Sequence, residues 1–131
     1  MCGILGCFIL NDKSFKKEME YALQLLKHRG PDYSELESYT LPMGRLHLGH
    51  TRLSIIDLSQ NGYQPMHSQD KRYTLIFNGE IYNYVELADE LKKMGHQFSS
   101  KSDTEVLLNA WCEWQENCLT KLSGNVHVCS S

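Results

Sequence analysis

Cys2 stands directly behind Met1. Aminopeptidases trim Met before a small residue, and trimming here would leave one residue with both a thiol and a free α-amine. A cysteine thiol ionises near pH ~8.5 and an α-amine near ~7.7–8.0, so the amine can act as a general base around neutrality. Nucleophile and proton carrier would then share a single residue. A cysteine so placed also serves as a small buried hydrophobe, the reading that suits Cys7.

Asn78-Gly79 is a two-residue hairpin signal. The same tight turn can aim the Asn side-chain amide and the Gly backbone N–H in one direction. Two such donors make an oxyanion hole, each worth roughly 2.7–4 kcal/mol to a tetrahedral intermediate. Arg52 sits in the run His50-Thr51-Arg52-Leu53-Ser54-Ile55-Ile56-Asp57. An arginine among apolar residues at a strand end either pairs with a carboxylate, Asp57 or Glu80, or clamps a substrate carboxylate through its fork. Asp103 lies just inside a helix start, where it serves as a cap or dipole partner, or holds a substrate ammonium. Arg52 and Asp103 together suit an amino-acid zwitterion. His28-Arg29-Gly30-Pro31-Asp32 reads locally as a helix end: a basic last turn, then Gly, then Pro.

Residues 3–10 are nearly all apolar or Gly and predict a buried strand that carries Cys2 at its head. Ser14 can cap a helix with Phe15, Met19, Ala22, Leu23 and Leu26 on its inner face, ending near His28. The stretch 31–43 reads as irregular, with a short strand around 37–41. Strands are expected over 45–56 and 72–77, the second running through Asn78-Gly79 into Ile81-Tyr82. Asn83 with Glu86, and Ser102 with Glu105, are capping-box patterns. They head helices whose stripes are Leu87, Leu91 and Met94, then Val106, Leu107, Ala110, Trp111 and Trp114. A turn of helix is expected from Asn117 to Leu122. Hairpin-linked strands among helices give an α+β class.

The 131 residues fit one domain, with 41% hydrophobic and 22% charged residues, as in globular proteins. A net charge of -3 supplies no basic field for nucleic acid. No apolar stretch reaches membrane-spanning length. The start lacks the charged n-region and long apolar core of a signal peptide, so a cytoplasmic address is expected. The five cysteines are odd in number and form no CxxC pair, which argues against disulfides. The six histidines show no metal-ligand spacing.

Taken together, Met1-Cys2-Gly3-Ile4, HRGPD at 28–32, HTRLSIID at 50–57, NGEIYNY at 78–84 and SDTE at 102–105 occur in an order that resembles the glutaminase domain of glutamine-dependent asparagine synthetases, in the class II amidotransferase family. The resemblance runs from residue 2 to about Gly124 and implies an N-terminal nucleophile hydrolase fold, a four-layer αββα sandwich with Cys2 at the head of a central strand. It implies that Cys2 attacks the glutamine side-chain amide to form a thioester and that Asn78 and Gly79 build the oxyanion hole. Arg52 would bind the α-carboxylate. Asp103 and Glu80 would hold the α-amine or orient the amide. The backbone at Leu53 and Ile55 would line the pocket, with Arg29 and Gly30 as a wall.

The implied partners are glutamine, a synthetase domain in the full-length protein, and a second copy of the chain in a homodimer. ATP and Mg2+ would belong to the synthetase domain and no cofactor to the glutaminase site. The tail 125–131 departs from the family pattern, and neither the synthetase domain nor the later sandwich strands lie within these residues. A sandwich lacking strands leaves open edges and apolar surface, so marginal stability is expected. Beside the enzyme reading stands a non-catalytic one: a fragment that binds glutamine or a full-length partner.

Overall fold

The computed structural model describes residues 2–10, 15–54 and 59–126. The architecture is α+β. Strands β1 (Gly3–Leu10), β2 (Tyr33–Leu41) and β3 (Gly44–Arg52) form an antiparallel sheet in the order β1-β3-β2. Helix α1 (Lys16–Leu25) connects β1 to β2. The apolar run at 3–10 forms the expected strand but not a buried one: of its residues only Gly3 is buried. Within this sheet, however, β3 is central and β1 lies at an edge, whereas the resemblance puts Cys2 at the head of a central strand.

The register sets Gly3 and Ser34 opposite Thr51, and Tyr33 opposite Arg52. Strand periodicity then sends alternate residues to opposite faces. One face is covered by α1 and the turn after it: Leu23 packs over Gly49 beside Leu36 and Leu5, and Leu26 over Gly3. On the other face Ile4, Phe8 and Leu10 stay 46%, 48% and 60% exposed.

β2 contains the short strand expected around 37–41 and corrects the irregular reading of residues 33–36. Its apolar residues are few, Leu36 on the α1 face and Tyr33, Tyr39 and Leu41 among glutamates on the other, so its own alternation is weak; pairing with β3 along its whole length orders it. The Tyr33 and Tyr39 hydroxyls donate to Glu35 and Glu37, two residues along the same face. Both phenols are pushed up to about 12, Tyr33 chiefly by its carboxylate partner and Tyr39 chiefly by burial. Ser14 lies outside the described residues, and α1 begins after Phe15 without a side-chain cap. The helix stops at Leu25, earlier than His28, and a series of tight turns carries the chain to Gly30. The His28 ring meets the Leu25 carbonyl at 2.7 Å, as a basic residue at a helix end should.

The second half holds the main core. β4 (Met66–His67) pairs with β5 (Thr74–Leu75), and β6 (Glu80–Ile81) pairs with β7 (Gly124–Asn125). This overturns the expected hairpin through Asn78-Gly79: the segments on either side belong to separate sheets, because the turn signal is local and the two strands find their partners elsewhere. Helices α2 (Tyr84–Lys93) and α3 (Asp103–Trp114) close over Phe77 and Ile81 with Leu87, Leu91, Val106, Leu107, Ala110 and Cys118. Met94, expected in the α2 stripe, is 48% exposed. A short 3-10 segment over Gln115–Thr120 stands in place of the helical turn expected from Asn117 to Leu122.

Asn83 heads α2 but does not cap it with its side chain. Its amide instead donates to the Lys121 carbonyl at 2.8 Å and accepts from the Ser123 N–H at 2.9 Å, which fastens the chain end beside β6. At the other end Gly95, at φ 100°, and His96 donate to the carbonyls of Lys92 and Leu91, a Schellman closure that favours glycine. Ser102 caps α3 by accepting from the N–H groups of Thr104 and Glu105. Glu105 reaches back past the expected position, to the N–H groups of Ser99 and Ser100 at 2.9 and 2.7 Å.

Candidate active site

Cys2 precedes the first residue of β1 and lies against the end of β3. The Leu53 N–H donates to its sulfur at 3.4 Å, and the Leu53 carbonyl lies 3.8 Å from the same atom. The Arg29 Nε donates to the Cys2 carbonyl at 3.1 Å. The rest of the 28–32 turn clasps the same strand end. The Asp32 N–H donates to the Arg52 carbonyl at 3.0 Å, and the Asp32 carboxylate accepts from the Ser54 N–H at 2.7 Å. This segment, which reads locally as a helix end, therefore ties together the ends of β1 and β3.

Arg52 is 6% exposed. Its Nη1 donates to the Ser59 carbonyl at 2.8 Å, and its guanidinium carbon lies 5.3 Å from the centre of the Tyr63 ring. A guanidinium in that position gains from the negative face of the ring. Ile55 and Asp57 lie outside the described residues.

Asn78 is half-buried and Gly79 and Glu80 are exposed. A side chain at Gly79 would start 2.4 Å from the Asn125 carbonyl oxygen, so β7 and the Phe77 ring leave room only for glycine. The segment is anchored from behind by Gln64, which is buried. Its carbonyl accepts from the Phe77 N–H at 2.6 Å, and its amide donates to Thr104 Oγ1 at 3.1 Å. Asp103, also buried, accepts from the Ile81 N–H at 3.2 Å through Oδ2. Burial raises the pKa of its carboxyl, the N–H groups of Ile81 and Thr104 oppose that, and the nearby Glu80 carboxylate adds to the rise.

His50 is fully buried, and no described residue hydrogen-bonds either ring nitrogen. Desolvation takes its pKa down to about 4; the Phe77 backbone pulls the other way and Arg52 adds to the fall. The imidazole is neutral at pH 7, which suits a ring packed between the end of β3 and the Phe77 segment.

The sequence-derived residues thus fall into two linked groups. Cys2, Leu53 and Arg52 share the end of β3; Asn78, Gly79, Glu80 and Asp103 gather around β6 and the start of α3. The bridge between them runs through Gly62, Tyr63 and Gln64, where Arg52 packs at one end and Phe77 hangs at the other. No hydrogen bond among the described residues joins Cys2 directly to Asn78 or Gly79. Sequence reasoning missed Tyr63 and Gln64. The stretch 59–70 reads as a polar loop, and nothing local in it shows that Gln64 turns inward. Among the described residues no group of three or more His, Cys, Asp or Glu is placed to hold a metal ion, and no helix is long and apolar enough to cross a membrane.

Comparison with known proteins shows the family of the chain. Residues 1–129 match the family described as glutamine amidotransferase domain. The chain is 42% identical over 130 residues to asparagine synthetase (glutamine-hydrolysing) 3 of Bacillus subtilis, covering 95% of this chain and 20% of that protein. It is 41% identical over 127 residues to the asparagine synthetase (glutamine-hydrolysing) of Sandersonia aurantiaca, covering 95% of this chain and 23% of the relative. Against the putative asparagine synthetase (glutamine-hydrolysing) 2 of Methanocaldococcus jannaschii it is 33% identical over 143 residues, covering 98% and 27%. The chain therefore spans about a fifth to a quarter of the length of these relatives.

Proposed function

The chain belongs to the glutamine amidotransferase domain family, and from that premise we propose that it hydrolyses glutamine to glutamate and ammonia with Cys2 as the N-terminal nucleophile. The observation that carries the proposal is the position of the Cys2 sulfur, 3.4 Å from the N–H of Leu53, the residue next to the buried Arg52 that ends β3. Once Met1 is removed, the α-amine takes the thiol proton as the sulfur attacks the side-chain carbonyl carbon of glutamine. The same amine returns a proton to the leaving nitrogen. Ammonia departs, a γ-glutamyl thioester remains, and water releases glutamate.

In this proposal Asn78 and Gly79 supply the two donors for the developing oxyanion, and no described residue engages the Asn78 amide in a competing hydrogen bond. Arg52 takes the α-carboxylate. Asp103 and Glu80 face the α-ammonium, and Leu53 and Ile55 line the pocket. We also assign the four-layer αββα sandwich. Its support is the order of elements: α1 covers one face of the β1-β3-β2 sheet, His67 of β4 and Phe77 between β5 and β6 approach the other, and α2 and α3 pack on Phe77. Ammonia would pass to ATP-dependent asparagine synthesis from aspartate on a synthetase domain beyond these residues. ATP and Mg2+ would be held there, and none of the residues discussed here is assigned to them.

The test is a glutaminase assay on wild-type, Cys2→Ala and Cys7→Ala chains. Glutamate release by wild type and Cys7→Ala, with loss of at least about a thousandfold in Cys2→Ala, is the expected result. Equal activity in Cys2→Ala refutes the assignment. A second reading, a non-catalytic chain that binds glutamine or a full-length partner, draws on the exposed Ile4, Phe8 and Leu10. Folded chain with Met1 removed and no turnover would favour it.

A further inference from the structure

The glutaminase reading requires Arg52 to present a planar fork to a carboxylate, and a long side chain does this well only if its plane is fixed beforehand. Three contacts with described residues help to fix it. The Ser59 carbonyl accepts from Nη1 at 2.8 Å. Gly62 lies so close that a Cβ there would stand 2.5 Å from Nη2. The Tyr63 ring lies 5.3 Å from the guanidinium carbon. The first two are backbone contacts from the same loop; the third is a side chain whose own orientation is held from elsewhere.

Tyr63 stacks on Tyr33 with ring centres 3.7 Å apart and planes 12° from parallel. Tyr33 is the residue directly opposite Arg52 in the β2–β3 ladder. Its hydroxyl is tied to Glu35 on the same strand. The sheet that carries Arg52 thus also sets the Tyr33 ring, Tyr33 sets Tyr63, and Tyr63 closes the circuit on the guanidinium.

Resting on the glutaminase reading, we propose that Tyr63 is a positioning residue that orients the Arg52 guanidinium for the α-carboxylate of the substrate. The ring face does this and the hydroxyl does not. Because the α-carboxylate is remote from the reacting amide and bound alike in ground and transition states, losing the orientation should raise KM and leave kcat nearly unchanged.

The experiment compares steady-state glutamine hydrolysis by the wild-type chain, Tyr63→Phe, Tyr63→Ala and Gly62→Ala, each checked for folding by circular dichroism. The expected result is a rise in KM of about 2- to 30-fold for Tyr63→Ala, the range a lost cation–π contact spans, with kcat within about twofold of wild type. Tyr63→Phe should match wild type. Gly62→Ala, which displaces the guanidinium from the other side, should raise KM in the same way and keeps the idea testable if Tyr63→Ala does not fold. Unchanged KM in both Tyr63→Ala and Gly62→Ala, or a fall in kcat alone, overturns the proposal while the glutaminase reading stands. A wild-type chain that turns over no glutamine overturns both.

Discussion

The Leu53 N–H donates to the Cys2 sulfur at 3.4 Å across a gap of 51 positions in the chain. That contact fixes where the head of β1 meets the end of β3, so Cys2 and Arg52, proposed as nucleophile and carboxylate-binding group, come from neighbouring strands of one sheet.

His50 makes stability fall on the acid side. Its folded-state pKa is about 4, below the ordinary histidine value of 6.5. The unfolded chain therefore binds the proton first as pH drops, and stability contributed by the neutral ring is complete above pH ~6.5 and lost progressively toward pH ~4. Urea denaturation at pH 7.5 and at pH 5 should show a lower midpoint at pH 5, with a full effect on the order of 3 kcal/mol once both states are protonated. His50→Gln should flatten the pH dependence between these two points. An unchanged slope in that variant contradicts the assignment.

Asp103 behaves in the opposite sense. Burial holds its folded pKa above the unfolded value, so its contribution to stability is present below the unfolded pKa and is lost as pH rises through the folded one. The same shift bears on binding, because only the carboxylate attracts an ammonium. KM for glutamine should rise on acidification, beginning at a higher pH than for an ordinary aspartate. Asp103→Asn should raise KM at neutral pH and remove that acid limb. A KM profile identical in wild type and Asp103→Asn would exclude Asp103 from substrate binding.

Gln64 should matter twice. Gln64→Leu leaves the buried Phe77 N–H without its 2.6 Å partner and the Thr104 hydroxyl without its 3.1 Å donor, a loss of about 1–3 kcal/mol in urea denaturation. Because Phe77 adjoins Asn78, kcat should also fall, whereas KM should change little. Wild-type stability and kcat together would show that the Phe77 segment is held by something else.

Much of this was legible in the residues. The strand at 3–10, the Ser102 cap and the Gly95 stop appear where spacing and end signals put them, because each depends on chemistry within a few residues. β2 was legible only over 37–41, since its full length takes its order from a partner strand and from tyrosine–glutamate pairs rather than from apolar alternation. Asn78-Gly79 shows the same limit. The pair marks a bend, but whether the flanking strands pair with each other is decided by β4 and β7. The candidate site divides likewise: Cys2, Arg52, Asn78, Gly79 and Asp103 have side chains or spacing that announce chemistry, whereas Tyr63 and Gln64 act only through what the fold brings against them.

The most direct measurement is the mass of the purified chain, mapped to its N-terminal peptide, before and after incubation with a glutamine analogue bearing a reactive chloroketone in place of the amide. The account predicts a chain that begins at Cys2 and gains one adduct on that residue, with excess glutamine protecting it. Retained Met1, or an adduct on Cys7, Cys112, Cys118 or Cys129 with Cys2 unmodified, would contradict it.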